Sequence, residues 1–363
     1  MRYIGIDLHK QNIVVAVGDS RGSRLVSRTF STGNVVPVIL FFKRQTPFTA
    51  VIEASCSYRW LYDLLSPLGE VKIAHPLRLR AIVSGRAKTD KLDSAMLAKL
   101  LMAGMIPESY VPPRPYQDLR DITRARARLS RQATKAKNEI HALLARANCR
   151  APYRSPFGPR GRRWLLETNL GPVADRVKSE LVRRLEHYES EIAVMDAEIK
   201  NIAGRFPEIE SLQDIHGFGL FSSLLVTGEI GEPWRFPSGE KVAAYAGLTA
   251  RVNQSGSHNY HGHITRQGSP WLRWILVQAA MHVTRRDVKL RNFYQRVRKR
   301  SSAKIARVAV ARKLAVISWV RLKIWHRRHR AKMQYCDKAT RVTERSGLVL
   351  MTGERESSPV CAV

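Results

Sequence analysis

Residues 3–17, YIGIDLHKQNIVVAV, form two apolar runs separated by a short polar segment. The runs Tyr3–Leu8 and Ile13–Val17 have the length and composition of buried β-strands, and Ser23–Phe30 alternates as a third strand would. Asp7 stands inside the first run, where an unpaired charge is costly to bury. The stretch therefore predicts an antiparallel meander whose first strand carries either a functional carboxylate or a residue of a strand-end turn.

The segment that follows alternates between strand-like and helix-like patterns. Short strands are predicted at Thr49–Ile52 and Val71–Ala74, and helices at Tyr58–Leu65 and Asp90–Ala103. Three strands followed by β/α alternation are typical of a mixed sheet flanked by helices. The proline-rich segment PESYVPPRP, residues 107–115, predicts the end of this α/β domain.

The remainder of the chain has a helical pattern. Apolar residues recur at spacings of three and four over 119–147, and the stricter alternation over 181–202 predicts a coiled coil. Residues 150–163 are rich in Pro, Gly and Arg and are expected to form the loop of an antiparallel helical hairpin, either arm of which could mediate self-association. A compact helical region follows, from Ile209 to about Trp325. The expected fold class is α/β plus α, with domains at 1–108, 115–205 and 206–332 and a disordered tail at 333–363.

The charge of the chain points to its partner. Lys and Arg number 62 against 30 Asp and Glu, so the 363 residues carry a net charge of +32. This excess favours a polyanion, most simply nucleic acid, because neutralising phosphates releases counterions. Residues 285–332 hold 18 of the basic residues and one acid, and Arg298, Lys299 and Arg300 are candidate phosphate contacts.

Other functional classes are disfavoured by composition. The chain has no apolar run of the ~18 residues that a membrane span requires, so no membrane association is expected and a cytoplasmic protein is predicted. Its four cysteines are widely spaced, which disfavours a disulfide framework or a zinc ribbon.

Three further carboxylates stand at element ends. Glu53 follows an apolar strand, and Asp90 and Asp93, three residues apart at a helix start, project from one helix face. Together with Asp7 they supply the oxygen ligands that a two-Mg²⁺ (or Mn²⁺) site requires, with ions ~4 Å apart that clamp a phosphodiester. The alternative is that Asp90 and Asp93 are ordinary acids at a helix N-terminus.

A second fold could use the same opening motif. Gly-Ile-Asp-Leu also begins the sugar-kinase and actin-like ATPases, in which a Gly/Thr-rich hairpin follows the Asp and holds phosphate. Here His9, Lys10 and Gln11 follow instead. The sequence therefore disfavours ATP binding.

Residues 215–220, IHGFGL, precede an apolar helical stretch. They look like the hairpin of a helix-hairpin-helix element, in which backbone N–H groups around Gly217 and Gly219 would face DNA phosphate. Gly-x-Gly before a helix is also common as a simple turn, so both interpretations remain open.

A polar segment farther along carries a candidate nucleophile. Residues 253–258, NQSGSH, are predicted to form a loop in which Ser255 is either a turn residue or a hydroxyl nucleophile for a phosphodiester. In the second case Arg266 and Arg273 are near enough in sequence to stabilise the charged transition state.

Taken in order, the motifs resemble those of one family. They are GIDLHKQ at 5–11, EAS at 53–55, KTDKLDSAMLAKLL at 88–101, HGFG at 216–219, FPSGEKVAAYAGL at 236–248, the serine loop, and ITRQGSPWLRWILVQAA at 264–280. Over residues 2–330 the chain resembles the RuvC-like DEDD insertion-sequence transposases of the IS110 family, which are bridge-RNA-guided serine recombinases. The resemblance implies an RNase H/RuvC-like N-terminal domain, a coiled-coil linker and a helical C-terminal transposase domain.

The resemblance also implies residue roles and partners. The acidic tetrad of the family maps onto Asp7, Glu53, Asp90 and Asp93, and its nucleophile maps onto Ser255, which would attack DNA and hold it covalently. Family members assemble as homo-oligomers (dimers or tetramers) on DNA, guided by a noncoding RNA, with a composite site between domains of different subunits. The implied reaction is isoenergetic phosphoryl transfer, which needs no ATP.

The chain departs from the family pattern at three positions. Ser257 stands where a second glycine is usual and is a competing nucleophile, Cys56 replaces a small residue, and His216 replaces a proline before the hairpin. Two other functions remain open. One is a metal-only RuvC-like DNA nuclease whose serine loop merely binds DNA, and the other is a non-catalytic basic nucleic-acid-binding protein.

Overall fold

A computed structural model of the chain describes residues 1–19, 25–55, 57–82, 90–255 and 258–350. It divides into two compact units, Met1–Val111 and the chain from Pro112 onward. The first unit is mixed α/β and the second is mainly helical, so the predicted order of α/β followed by α is confirmed at this level.

The first unit is built on a five-stranded sheet with the order β3-β2-β1-β4-β5. Strand β1 pairs antiparallel with β2 and parallel with β4, so the predicted meander and the following β/α alternation share one sheet. The sequence pattern does not predict helix α1, because its apolar sequence VPVILFFKRQ has no polar face to indicate a helical period. The elements are β1 Arg2–Leu8, β2 Asn12–Asp19, β3 Val26–Ser31, α1 Val36–Gln45, β4 Phe48–Glu53, α2 Tyr58–Leu65, β5 Glu70–Ala74, α3 Pro76–Ile82 and α4 Asp90–Met102.

The two faces of this sheet are covered by different helices. Ile4 and Ile6 of β1 pack in one apolar cluster with Phe42 of α1 and Leu61 of α2. On the opposite face, Val51 of β4 packs with residues of α4. The alternation of side chains along a strand produces this division, since successive residues point to opposite faces.

Two long helices begin the second unit. Helices α5 (Arg114–Arg146) and α7 (Pro172–Ala203) run antiparallel, because Arg126 pairs with Asp196 while Lys137, farther along α5, pairs with the earlier Glu189. The predicted helical arms are thus present. Part of the predicted loop at 150–163 is instead the start of helix α6 (Pro159–Glu167), which begins with a proline at its first turn and buries Leu165.

The rest of the second unit packs around an apolar core that includes Leu225, Leu272, Leu276 and Leu314. The polar segment predicted as a loop contributes instead to a two-stranded antiparallel hairpin. Asn, Gln and Ser have weak β-propensity, so composition does not reveal a pairing made by backbone hydrogen bonds. The elements are α8 Glu210–Gln213, α9 Leu220–Ile230, α10 Gly239–Tyr245, β6 Ala250–Ser255, β7 His258–Ile264, α11 Pro270–Arg286, α12 Val288–Arg300 and α13 Ala303–Leu350.

Helix α13 continues past the point where the sequence predicted disorder. Its backbone is helical through Leu350, whereas a disordered tail was expected from residue 333. Residues 333–346 contain neither Pro nor Gly, so nothing in them stops a helix that is already formed. Within the part of the chain that the structure describes, no helix is both long enough and apolar enough to cross a bilayer.

Candidate functional site

Asp7 and Glu53 lie at the ends of neighbouring parallel strands. The register of β1 with β4 ends at the pair Ile6 and Ile52, and Asp7 and Glu53 are the next residue on each strand. Paired residues on adjacent strands share a sheet face, and the carboxyl ends of parallel strands lie at the same edge. The backbone therefore brings both carboxylate-bearing positions to one edge and one face of the sheet.

The direction of helix α4 brings its acidic start to that same edge. A Cβ atom on Gly5 of β1 would lie 2.0 Å from the carbonyl oxygen of Ser94, so the middle of β1 touches the first half of α4. Gly18, which pairs with the beginning of β1, faces Met102 at the end of α4. Helix α4 thus runs antiparallel to β1, and its first turns lie toward the end of β1 that carries Asp7.

Asp7 shares the sheet face of Gly5, because residues two apart on a strand point the same way. Asp90 is the first residue of α4, and Asp93 follows one turn later and is half-buried. Two strand ends and one helix start therefore deliver four carboxylate-bearing positions to one end of one sheet face. The side chain of Asp90 lies outside the described residues.

The Asp7 carboxylate is 13% exposed and has a basic neighbour. Its Oδ2 lies 2.9 Å from Nε2 of His9, whose side chain is 48% exposed. Among the described side chains, no group of three or more His, Cys, Asp or Glu is arranged to hold a metal ion. The donor set of the edge, all carboxylate oxygens, nevertheless has the chemistry that Mg²⁺ or Mn²⁺ prefers.

Ser255 lies in the second unit, at the end of a strand. It is the last residue of β6 and pairs in register with His258, the first residue of β7. The competing Ser257, and Gly256 between the two serines, lie outside the described residues, as does Cys56.

The base of this hairpin is held by Arg273 of α11. One guanidinium nitrogen donates to the carbonyl oxygen of Ala246 at 3.0 Å and to that of Arg266 at 3.3 Å. Burial, and secondarily the charge of Arg266, lowers the pKa of Arg273. Arg266 itself is exposed, with a φ of 54°. Of the two arginines expected near the nucleophile, one is therefore engaged with backbone carbonyls and the other is free to reach a ligand.

The sequence does not predict an ionic network that includes the buried Glu229 and reaches the start of α11. Glu229 of α9 is fully buried and accepts two hydrogen bonds from Arg124 of α5, at 2.6 and 3.0 Å. Its Oε2 also accepts from the hydroxyl of Ser269, which caps α11 by accepting from the N–H of Leu272. Burial is the largest single influence on the pKa of Arg124 and lowers it, but hydrogen bonding to Glu229 and the negative charge of Glu229 together raise the pKa above its ordinary value. The sequence does carry one indication of this network, because Glu229 is an acidic residue inside the apolar run LLVTGEI.

The predicted phosphate-binding glycines have different surroundings. Gly217 has a φ of +88°, and a Cβ there would lie 2.8 Å from Cβ of His282, so turn geometry and close packing both require glycine. Gly219 precedes the first turn of α9, and no atom would lie within 4 Å of an added Cβ. The open space at Gly219, at a helix N-terminus, can accommodate a phosphate. The space next to Gly217 is filled by other residues of the protein.

The three basic residues proposed for phosphate contact are accessible. Arg298, Lys299 and Arg300 form the last turn of α12, and all three side chains are exposed.

Two family models match the chain in sequence order. Residues 4–149 match the DEDD transposase model of the IS110 family, and residues 209–295 match the model described as the transposase IS116/IS110/IS902 family. The first match covers the strand ends and the helix that carry the four carboxylates. The second covers Glu229, Ser269 and the serine hairpin, whereas Arg124 of the buried network lies within the first match.

Curated bacterial relatives align over nearly their whole length. A probable family 20 transposase of Pseudomonas aeruginosa is 28% identical over 337 residues, which are 88% of this chain and 96% of the relative. The transposase for insertion sequence element IS1328 of Yersinia enterocolitica is 25% identical over 324 residues, 87% of this chain and 95% of the relative. The transposase for IS1111A of Coxiella burnetii is 23% identical over 336 residues, 89% of this chain and 90% of the relative. With both family models matched in order, the chain belongs to the IS110/IS116 family of insertion-sequence transposases.

Proposed function

We propose that this transposase cleaves and rejoins DNA strands by phosphoryl transfer, with an acidic tetrad in a RuvC-like first unit and a nucleophilic serine in the second. The observation that carries the proposal is the convergence of Asp7, Glu53, Asp90 and Asp93 on one sheet edge through strand register and helix direction. Four carboxylates at one edge repel one another unless cations neutralise them.

The tetrad would hold Mg²⁺ or Mn²⁺ through its carboxylate oxygens. When bound, such ions neutralise phosphate charge and stabilise the attacking and leaving oxygens of a phosphodiester. The protein's own contribution is positioning. The sheet fixes Asp7 and Glu53 to each other, and the contact of α4 with Gly5 fixes the helix that carries Asp90 and Asp93.

Ser255 would supply the nucleophile. Its hydroxyl oxygen would form a bond to phosphorus while the bond from phosphorus to a deoxyribose oxygen breaks, and the departing oxygen takes up a proton. Attack by a new deoxyribose hydroxyl on the serine–phosphate linkage would release the enzyme and join the strands. The number of phosphodiester-type bonds is conserved at each step, so no nucleotide hydrolysis is required.

The basic surfaces would contact nucleic acid. Arg266 is exposed beside the hairpin, Gly219 opens onto free space at a helix start, and the last turn of α12 is cationic. By family resemblance the partners would be the element ends, the target DNA, a guide noncoding RNA and further copies of the chain. The helix-hairpin-helix assignment at 215–220 and the three-part domain division belong to the same proposal.

Detection of a covalent intermediate tests the proposal. Purified protein is incubated with element-end DNA, the flanking RNA transcript and Mg²⁺, and denaturing gels are examined for a detergent-resistant protein–DNA adduct. Wild type and Ser257→Ala should form the adduct, whereas Ser255→Ala and Asp90→Ala should not. An adduct lost in Ser257→Ala but kept in Ser255→Ala would assign the nucleophile to Ser257.

Two other outcomes would replace the proposal. Nicked DNA without an adduct, unaffected by Ser255→Ala, would favour the metal-only nuclease. DNA binding that is insensitive to Mg²⁺ and to Asp7→Ala and Asp90→Ala, with no cleavage, would favour a non-catalytic binding protein.

A further inference from the structure

Helix α12 (Val288–Arg300) has one buried side and one fully exposed side. Leu290 is buried, and Phe293 and Tyr294 pack against the core of the second unit. On the opposite side the exposed residues recur with the helical period. They are Lys289, Asn292, Gln295, Arg296 and Lys299.

The exposed side of α12 is cationic, and the guanidinium of Arg296 on it lies 5.7 Å from the centre of the Phe293 ring. The helix contains no acidic residue, and the preceding Asp287 is occupied in capping, because its carboxylate accepts from the N–H of Leu290 at 2.9 Å. Arg291, at the flank, donates to the carbonyl oxygens of Thr284 and Arg285 and so holds α12 to the end of α11. In the described part of the chain, Asn292, Gln295 and Lys299 have no hydrogen-bond partner for their side chains.

The amides distinguish this surface from a simple phosphate-binding patch. Lys and Arg suffice for phosphates, but Asn292 and Gln295, three residues apart on one face, add paired donor and acceptor groups. Asn and Gln pair with the N6 and N7 atoms of adenine in the major groove, and Arg pairs with O6 and N7 of guanine. All three residue types stand side by side here, as Asn292, Gln295 and Arg296.

We propose that α12 enters the major groove of duplex DNA and reads base edges through Asn292, Gln295 and Arg296, while Lys299 and Arg300 contact phosphates. The inference rests on the proposed function, since it takes DNA as the substrate. A helix fits the major groove of B-form DNA but not the deep, narrow major groove of A-form RNA, so the partner is duplex DNA. The protein would then specify two or three base pairs itself, independently of a guide RNA.

Selection from a random duplex library tests the inference on the full chain without RNA. Wild-type protein should enrich a short motif at two or three adjacent base pairs. The double variant Asn292→Ala/Gln295→Ala should lose about 5-fold to 100-fold in affinity for the selected duplex relative to a scrambled one. Its affinity for the scrambled duplex and its thermal midpoint should remain unchanged, because both side chains are exposed.

Arg298→Ala is the matched control on the same helix. Arg298 lies on the flank of the exposed side, where a phosphate contact is expected rather than a base contact. It should weaken binding to selected and scrambled duplexes equally and reduce the slope of log affinity against log salt by about 1.

Three outcomes would overturn the inference. They are a wild-type protein without sequence preference, a double variant that keeps the wild-type preference, and a loss of affinity confined to an RNA duplex. None of them affects the covalent-adduct assay, so the failure of this inference and the failure of the proposed function can be told apart.

Discussion

The carboxylate edge of the first unit and the hairpin base of the second hold their residues by different means. At the edge, the β1–β4 register and the contact of Gly5 with α4 set the positions through backbone and apolar packing, and Asp7 makes a side-chain contact with the exposed His9. At the hairpin base, the guanidinium of Arg273 holds backbone carbonyls, and the fully buried Glu229 pairs with the half-buried Arg124 and accepts from Ser269 at the start of α11. A site built on backbone register tolerates side-chain changes that a site built on buried charges does not.

Both places depend on a glycine. A Cβ on Gly5 would lie 2.0 Å from the carbonyl oxygen of Ser94, and a Cβ on Gly268 would lie 2.0 Å from that of Tyr245. Gly268 also has a φ of +89°, which side chains rarely adopt, whereas Gly5 sits in a regular strand. The first unit therefore needs glycine for close packing alone, and the second needs it for packing and backbone conformation together.

The largest effect is expected from Glu229→Ala. The substitution removes a fully buried carboxylate, which leaves the half-buried Arg124 without its partner and the Ser269 hydroxyl without its acceptor. Breaking a buried ion pair in this way costs about 3–5 kcal/mol. Chemical denaturation should show that loss in the free energy of unfolding, and the serine-dependent adduct should disappear with it.

Glu180→Ala provides the matched control. Glu180 also accepts hydrogen bonds from two arginines, Arg183 and Arg184, but all three side chains are exposed enough to be screened by water. Its unfolding curve should overlay that of wild type. Equal losses of unfolding free energy in Glu229→Ala and Glu180→Ala would show that the buried network stabilises the second unit no more than an exposed ion pair does.

A pH effect on stability is expected from a buried histidine of the second unit. Burial, and secondarily the charge of His329, lowers the pKa of His326 from 6.5 to about 4. Both ring nitrogens of His326 are buried without hydrogen-bond partners in the described part of the chain. Its neutral form is therefore favoured in the folded state, and unfolding takes up a proton. The contribution of neutral His326 to the free energy of unfolding is fully present above pH 6.5. It falls by about 3 kcal/mol as the pH drops toward 4.

His326→Phe isolates this contribution. The phenyl ring keeps an aromatic group between Trp234 and Trp325 but cannot be protonated. The difference in unfolding free energy between wild type and the variant should change between pH 6.5 and 4 and stay constant outside that window. The exposed His187→Phe serves as the control. A flat difference for His326→Phe would contradict the expectation.

In the first unit, Gly5→Ala is expected to disturb the carboxylate edge. The added methyl group collides with the backbone of α4, so the helix that carries Asp90 and Asp93 must shift. Overpacking of this kind costs about 1–3 kcal/mol. Metal-dependent cleavage should fall further than the thermal midpoint suggests, because the carboxylates move apart.

Gly33→Ala in the same unit is the control, since its nearest contact would be an ordinary 3.6 Å from the hydroxyl of Ser31. If Gly5→Ala kept full metal-dependent activity, the position of α4 would not matter for the edge.

The contrast between the two regions also explains what the sequence could predict. Asp7 and Glu53 could be predicted as site candidates because a charge in an apolar strand is costly to bury, and the ends of parallel strands share an edge. Glu229 carried the same signal within an apolar run but is fully buried in a helix, and only the fold reveals that Arg124, 105 residues away, is its partner. The hairpin around Ser255 was predicted as a loop because its pairing is made by the backbone of polar residues.

The smallest effect is expected from Arg273→Ala. Variants of Arg273 can separate a structural role at the hairpin base from a role in catalysis. Arg273→Ala removes the donors to the carbonyls of Ala246 and Arg266 and should cost about 1 kcal/mol in unfolding free energy. If Arg273 only positions the hairpin, Arg273→Lys should restore most of the adduct yield, because an ammonium group can still donate to a carbonyl. If the guanidinium instead stabilises the transition state directly, the Lys variant should keep the stability of wild type while the rate of adduct formation stays at the level of the Ala variant.

Arg266→Ala tests the second arginine near the hairpin. Its unfolding free energy should equal that of wild type and its rate of adduct formation should be lower, since the exposed side chain of Arg266 can reach a phosphate.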